Sequence, residues 1–314
     1  MKPTVIAIMG PTAVGKTDLG LALADRFDVD LISVDSVLVY KGLDIGSAKP
    51  EPQLLDRYPH ALVDIKDPCE VYSAADFARD ANQLIAQSHA CGRTPVLVGG
   101  TMLYYKALFH PMDDLPSADE ALRDELTREL NEHGLDHIVQ QLATIDPDIM
   151  QRLEVNNTQR VLRAMEIYRL TGKQPSTLWQ QQAFSEQTIA DLPYHLVQFA
   201  VMPPSREWLH KRINLRFEQM LAQGFADEVQ ALIDRGDLNT DLPAIRAVGY
   251  RQMWSYLQGQ QDWSSMIETG QAATRQLAKR QLTWLKKWPS LLTCTAGNSE
   301  NLNELLKTVN LPSQ

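Results

Sequence analysis

Cysteine is scarce. Cys69, Cys91 and Cys294 are odd in number, far apart and in no C-x-x-C pairing, so neither a disulfide framework nor a cysteine-based zinc site is indicated. Long apolar runs are missing as well: no stretch approaches the roughly 20 consecutive apolar residues of a membrane span. Met1-Lys2-Pro3 leads straight into a strand-like run without a signal-peptide pattern. The expectation is a cytoplasmic protein with no membrane partner, and a monomer. Positive charge is in deficit, because 30 Lys and Arg against 39 Asp and Glu leave a net charge of −9. Bulk charge therefore argues against a chain that coats nucleic acid, and any such contact has to be local. One stretch qualifies: no acid lies between Glu268 and Glu300, while Arg275, Lys279, Arg280, Lys286 and Lys287 fall there. A solvated basic helix face is the rival reading of that patch. Internal repeats are absent, and low complexity is confined to Gln180, Gln181 and Gln182.

What is present is ordinary for a globular protein: 314 residues, 44% hydrophobic and 22% charged, enough for one α/β domain plus an addition. The most informative stretch is Thr4 to Thr17, an apolar run followed by Gly10-Pro11-Thr12-Ala13-Val14-Gly15-Lys16-Thr17. It matches G-x-x-x-x-G-K-[ST], a loop that cradles phosphate between a strand and a helix. Gly10 and Gly15 allow backbone conformations that turn successive N–H groups inward. Lys16 supplies a point charge, the Thr17 hydroxyl suits a Mg²⁺ ion, and the following helix aims its positive end at the anion.

A second strand, Val29 to Val34, ends in Asp35-Ser36-Val37-Leu38. In a parallel sheet, ligands sit outside the carboxyl ends of the strands, so Asp35 stands where a base belongs; a plain turn cap is the alternative. Residues 41 to 59 read as a loop and Ala61 to Ile65 as a short strand. Ser73 to Cys91 has helical spacing, and Pro95 to Val98 is a further strand ending in Gly99-Gly100-Thr101. That glycine pair either admits a ligand or makes a tight turn.

At Pro111 the character changes. Ser117-x-x-Glu120 has the form of a capping box, and helical stretches follow to Gly172. Arg160 and Arg163 lie near a helix start, where the dipole disfavours cations unless an anion docks. His195 to Met202 reads as a strand rejoining the sheet, followed by a long helix on which Arg212 and Arg216 share a face, spaced to clamp a diphosphate or to be solvated. The fold expected is α/β, a P-loop NTPase-like parallel sheet in 1–110 and 194–314, with an all-helical insertion at 111–193 and C-terminal helices.

Gly10 to Thr17, Asp35-Ser36 with Val39-Tyr40, Gly99-Gly100-Thr101, Arg163-Ala164-Met165-Glu166, Val248 to Gln252 and Arg275 to Gln281 together resemble the bacterial tRNA dimethylallyltransferases. The resemblance covers nearly the whole chain. It implies transfer of a dimethylallyl group from dimethylallyl diphosphate to N6 of adenosine 37 in the anticodon stem-loop of tRNA, beside adenosine 36. It implies that the phosphate loop holds the prenyl diphosphate with Mg²⁺ on Thr17, that Asp35 takes the proton, and that Lys16 with Arg212 or Arg216 stabilises the leaving group. It further implies a channel lined by Asp35, Ser36, Val37, Leu38 and Thr101. RNA contacts would come from Arg123, from Gln159, Arg160, Val161, Leu162 and Arg163, from Arg246, Gly249, Tyr250 and Arg251, and from Arg275, Gln276, Lys279 and Arg280. The alternatives are a P-loop small-molecule kinase, an adenylate-type isopentenyltransferase acting on free nucleotides, and a non-catalytic RNA-binding switch.

Overall fold

The structure is a computed structural model that describes residues 2–110, 115–116, 119–178 and 185–309. The chain divides into two compact units, Met1–His110 with Phe184–Gln314, and Pro111–Ala183. The insertion is thus shorter than the expected 111–193.

The larger unit begins with β1 (Thr4–Met9), α1 (Lys16–Ala24), β2 (Val29–Val34), α2 (Pro52–Arg57), β3 (His60–Ala61), α3 (Ala74–Ala90), β4 (Thr94–Gly99) and α4 (Met102–Phe109). Its apolar strands are buried on both faces, which is why they read as continuous runs. Along β1, Val5, Ala7 and Met9 face one apolar cluster while Ile6 and Ile8 face another. Ser73 caps α3 in a reciprocal box with Asp76, and Phe77, Ala81 and Ile85 recur every fourth residue to bury that helix. The expected strand at 61–65 is shorter and earlier, at β3, because Leu62 and Asp64 take left-handed backbone angles.

The smaller unit holds α5 (Glu120–His133), α6 (Leu135–Ile145), α7 (Pro147–Met150), α8 (Thr158–Thr171) and α9 (Pro175–Leu178). Leu126, Ile138, Leu142, Ile149, Val161 and Met165 form its core. The cap of α5 is Asp119, whose carboxylate accepts from the Leu122 N–H; Ser117 of the expected box and the Gln180–Gln182 run lie outside the described residues.

The larger unit resumes with α10 (Glu186–Ala190), β5 (His195–Met202), α11 (Arg206–Ala222), α12 (Phe225–Asp234), α13 (Tyr250–Leu257), α14 (Trp263–Leu285), β6 (Leu292–Thr295) and α15 (Asn301–Leu306). All strand pairs are parallel, in the order β3-β2-β4-β1-β5-β6. Register fixes the next level of organisation. Met9 pairs with Gly99, and Gly99 with Val34, so the loops leaving β1, β4 and β2 emerge side by side at one edge of the sheet.

Candidate active site

Those adjacent loops are Gly10–Thr17, Gly100–Thr101 and Asp35–Leu38, and they are tied to one another by side chains. The Thr101 hydroxyl accepts the Ser36 N–H at 3.1 Å. Gln281, buried on α14, accepts the Thr12 N–H at 2.9 Å and donates to the Gly100 carbonyl at 2.9 Å. Gln281 closes the Arg275 to Gln281 motif but is not among its expected RNA contacts; its helical register places it on the buried face of α14, where a polar side chain needs partners. Gly99 resolves the question left by the glycine pair: a Cβ there would lie 2.0 Å from the Val34 carbonyl oxygen, so this glycine serves close strand packing.

The phosphate loop has the expected backbone. Gly10 and Gly15 have φ of 155° and 92°, and Ala13, at φ 63°, holds a left-handed conformation unusual for a residue with a side chain. One expectation is revised, because the Thr12 N–H is taken by Gln281 and does not face a ligand. Among the described residues, no hydrogen bond within the chain engages the N–H groups of Val14, Gly15, Lys16 or Thr17. They form an anion cradle at the start of α1.

Beside the cradle is a cavity of about 760 Å³, lined among others by Lys16, Thr17, Asp35, Thr101, Arg216 and Arg280. Lys16 donates to the Pro11 carbonyl at 2.8 Å. Burial lowers its pKa to about 8, with Asp35 opposing the shift and Arg216 reinforcing it. The Arg216 guanidinium is likewise held below its ordinary range by burial and by Arg212, against the pull of Asp35. Arg212 is placed differently: its Nε donates to the Ala13 carbonyl at 2.8 Å and its guanidinium lies 4.9 Å from the centre of the Trp208 ring. Lys16, Arg212, Arg216 and Arg280 thus line a cavity to which Asp18 and Asp35 bring two carboxylates. In a chain of net charge −9, such a local excess of positive charge suits a polyanion.

Asp35 caps its turn and is also available for chemistry. Its Oδ1 accepts from the Val37 N–H at 2.8 Å and the Leu38 N–H at 3.3 Å. Among the described residues Oδ2 has no hydrogen-bond partner, so a carboxylate held by one oxygen presents the other to the cavity lined by Val37, Leu38 and Ser36. A second positioning group escaped the sequence. Glu228 on α12 accepts from the N–H groups of Asp44 (2.9 Å), Ile45 (2.6 Å) and Gly46 (3.0 Å) and from the Tyr250 hydroxyl (2.6 Å). It pins the segment whose Gly46, Ser47 and Ala48 form part of the cavity wall.

The donor set for Mg²⁺ is sparse. Among the described residues the one cluster of three potential ligands is Asp67, Cys69 and Asp237, where Arg235 donates to both carboxylates. The Thr17 hydroxyl in the phosphate cradle fits an ion that takes most of its remaining ligands from water and a bound diphosphate, as Mg²⁺ commonly does.

The remaining expected contacts divide. Arg280 and Gly249 line the cavity, Arg246, Arg251, Gln276 and Lys279 are exposed, and Arg275 donates to Asn214 at 2.9 Å. Tyr250 is corrected to a core residue: it is 1% exposed and its hydroxyl is held by Glu228. In the smaller unit Val161 is likewise fully buried and does not present its side chain to RNA, while Leu162 is half-buried against the same core. Arg123 and Arg163 donate to the buried Glu166 at 2.9 and 2.6 Å. Burial pushes that carboxyl up, yet these two guanidiniums hold it below its ordinary value. The Arg123 contact therefore joins α5 to α8, while Arg163 pairs with Glu166 within α8. Gln159 and Arg160 are exposed at the start of α8, with Arg160 3.3 Å from Glu154.

A family model described as IPP transferase matches residues 38–288. The chain belongs to the IPP transferase family. It is 50% identical over 315 residues to tRNA dimethylallyltransferase 2 of Hahella chejuensis, covering 98% of this chain and 95% of that one. The structure of the full-length tRNA isopentenylpyrophosphate transferase from Bacillus halodurans is 37% identical, with a TM-score of 0.68 over 98% of this chain and 99% of that one. A eukaryotic dimethylallyltransferase acting on tRNA is 27% identical, with a TM-score of 0.79 over 98% of this chain and 81% of that one. The phosphate loop and Asp35 of this IPP transferase lie ahead of the family-model match and within the span shared with the full-length relatives.

Proposed function

We propose that this IPP transferase is a tRNA dimethylallyltransferase, acting as a monomer: it transfers a dimethylallyl group from dimethylallyl diphosphate to N6 of adenosine 37, next to the anticodon, and releases diphosphate. The observation that supports it best is the union, in one cavity, of an open phosphate cradle, the cations Lys16 and Arg216, and the free oxygen of Asp35. A phosphate loop alone is common to many activities. A fixed carboxylate beside it suits an acceptor that must lose a proton.

The diphosphate lies on the N–H groups of Val14 to Thr17, with Lys16 and Arg216 on its oxygens, while Arg212 braces the loop through Ala13. Mg²⁺ held by Thr17 would add charge neutralisation on the diphosphate. Val37, Leu38, Ile213 and Met220 line the same cavity and offer the isoprenoid tail an apolar surface. The exocyclic amine is a weak nucleophile because its lone pair is delocalised into the purine ring. As its nitrogen bonds to the allylic carbon, the carbon–oxygen bond breaks and the electron pair leaves on diphosphate. The N6 proton passes to Oδ2 of Asp35. Donors already aimed at the departing oxygens are each worth on the order of 3 kcal/mol in such a step. The adenosine must leave its stack to reach the cavity, and Arg246, Arg251, Gln276, Lys279 and Arg280 on the larger unit hold the stem-loop around it.

The test mixes the protein with Mg²⁺, labelled dimethylallyl diphosphate and an unmodified anticodon stem-loop carrying adenosines 36 and 37. Label is expected in that RNA and not in one with guanosine at position 37. Asp35→Asn keeps the oxygen that caps the turn and loses the base, so transfer should fall about 10²–10⁴-fold with RNA affinity retained. Label absent from both RNAs would overturn the reading, as would full activity of Asp35→Asn.

A further inference from the structure

Two pairs of basic residues recur at a four-residue spacing along α11: Arg212 with Arg216, and Arg206 with His210. At 100° per residue the two pairs point about 120° apart. The first pair serves the catalytic cavity. The second lines a separate cavity of about 490 Å³ whose opposite wall is α14. That wall contributes Arg275, Lys279 and Lys286, which lie on one face of the helix, and the floor is apolar, formed by Met202, Leu209, Ala278 and Leu282. A small cluster of Ala13, Leu209, Ile213 and Ala278 packs between the two cavities.

Electrostatically this second groove is unfinished. No carboxylate pairs with Arg206, Arg275, Lys279 or Lys286 in any ion pair of the described residues. Arg275 is satisfied only by the neutral Asn214, and Arg206 Nε is 3.5 Å from His210 Nε2. Partial burial together with Arg206 and Arg275 disfavours the charged form of His210, against the weaker pull of Glu207. Arg206, Arg275, Lys279 and Lys286 thus share one groove whose lining holds no carboxylate.

We propose that this groove binds successive phosphodiester groups of the RNA substrate, with Arg206 and Lys286 as contacts beyond the basic segment of α14 that ends at Arg280. The assignment rests on RNA being the acceptor. The length of the groove favours a polymer over a free anion: from Arg275 to Lys286 is eleven helical steps, about 16 Å at 1.5 Å per residue, far longer than one diphosphate and enough for several nucleotides. The apolar floor suits sugar faces between phosphates. Because the groove shares α11 with the catalytic cavity, a backbone held here is registered against the diphosphate site by a single rigid element. Contacts of this kind position an RNA and carry no sequence information.

The test measures binding of a fluorescent anticodon stem-loop to the full chain across a series of salt concentrations, for wild type and for Arg206→Ala/Lys286→Ala. Removing two phosphate contacts should lower the slope of log affinity against log salt by about 1.5–2 and weaken binding roughly tenfold or more at low salt. Arg206→Lys/Lys286→Arg should restore both, which separates charge from folding. An unchanged slope overturns the proposal, whether or not affinity falls. So does a variant that loses only binding of inorganic diphosphate, which would make the groove a free-anion site. Prenyl transfer by wild type, assayed in parallel, keeps the two readings apart: a groove-dependent slope without transfer sinks the enzyme assignment alone, and transfer with an intact slope in the variant sinks the groove alone.

Discussion

Replacing Glu228 by glutamine tests whether one remote carboxylate shapes the catalytic cavity. Its Oε2 accepts from the N–H groups of Asp44 and Ile45, and its Oε1 accepts from the Gly46 N–H and the Tyr250 hydroxyl. A carboxamide has one oxygen, so whichever way it turns, its NH₂ group faces two donors. Hydrogen bonds to a charged group are worth about 1.5–3 kcal/mol each. Two lost bonds would cost about 3–6 kcal/mol, and because Asp44 is exposed and water can reach its N–H, the lower end, about 3 kcal/mol, is expected. Since 1.4 kcal/mol is about a factor of ten in an equilibrium, local opening of the segment should become roughly a hundredfold more frequent. Hydrogen exchange at the amides of Asp44, Ile45 and Gly46 reads this opening directly. The Tyr250→Phe variant, which removes one donor and leaves the three N–H bonds, should show a loss of about 1.5 kcal/mol. Because Gly46, Ser47 and Ala48 line the cavity, kcat/KM should fall in step with protection. Exchange rates within threefold of wild type in Glu228→Gln would refute the reasoning.

The Lys16 ammonium has a pKa of about 8, lowered by burial and by Arg216 against the pull of Asp35, so the KM for the prenyl donor should be flat below about pH 7 and rise toward tenfold per unit above pH 8 as the charge is lost; a flat profile from pH 6.5 to 9.5 would contradict it. The sign for folding is opposite, because the unfolded chain holds this proton up to 10.5, and the Lys16 contribution to stability should rise between pH 8 and 10.5. Gln281→Leu preserves volume but leaves the Thr12 N–H and Gly100 carbonyl without their partner, which should cost about 2–4 kcal/mol in denaturant unfolding and raise the donor KM; unchanged stability and KM would mean that the two loops hold themselves.

Legibility in the sequence followed the range of the interactions. The phosphate loop, the buried parallel strands and the capped α3 are local patterns, and each could be read from neighbouring residues. Glu228 could not, because its partners Asp44 to Gly46 lie more than 180 residues away and no periodicity links them. β6 was missed for a different reason: Leu-Thr-Cys-Thr at 292–295 is short, with only Cys294 buried, and takes its place as an edge strand through pairing with β5. Family motifs located the site but did not separate contact from scaffold. Tyr250 and Val161 lie within stretches assigned to RNA and turn out to be core, because a motif records that residues occur together and not which way each side chain points. Asp35 shows the converse, since a turn cap and a base were set against each other and the structure gives one oxygen to the cap while leaving the second uncommitted.

The acidity of the chain and its RNA substrate are compatible because charge is placed element by element. A net charge of −9 gives a long-range field that repels nucleic acid, so binding through bulk attraction is weak everywhere. Affinity then has to come from positions where cations outnumber carboxylates, and α11 carries two such positions on different faces. One faces the diphosphate cradle; the other faces a groove long enough for a phosphodiester chain. A helix of 17 residues packed on Ala13 and Ala278 cannot shift one face without the other. If the cradle holds diphosphate and the groove holds RNA as proposed, the distance between them is set by the diameter of a helix, and an RNA in the wrong register should fail to deliver its base to Asp35.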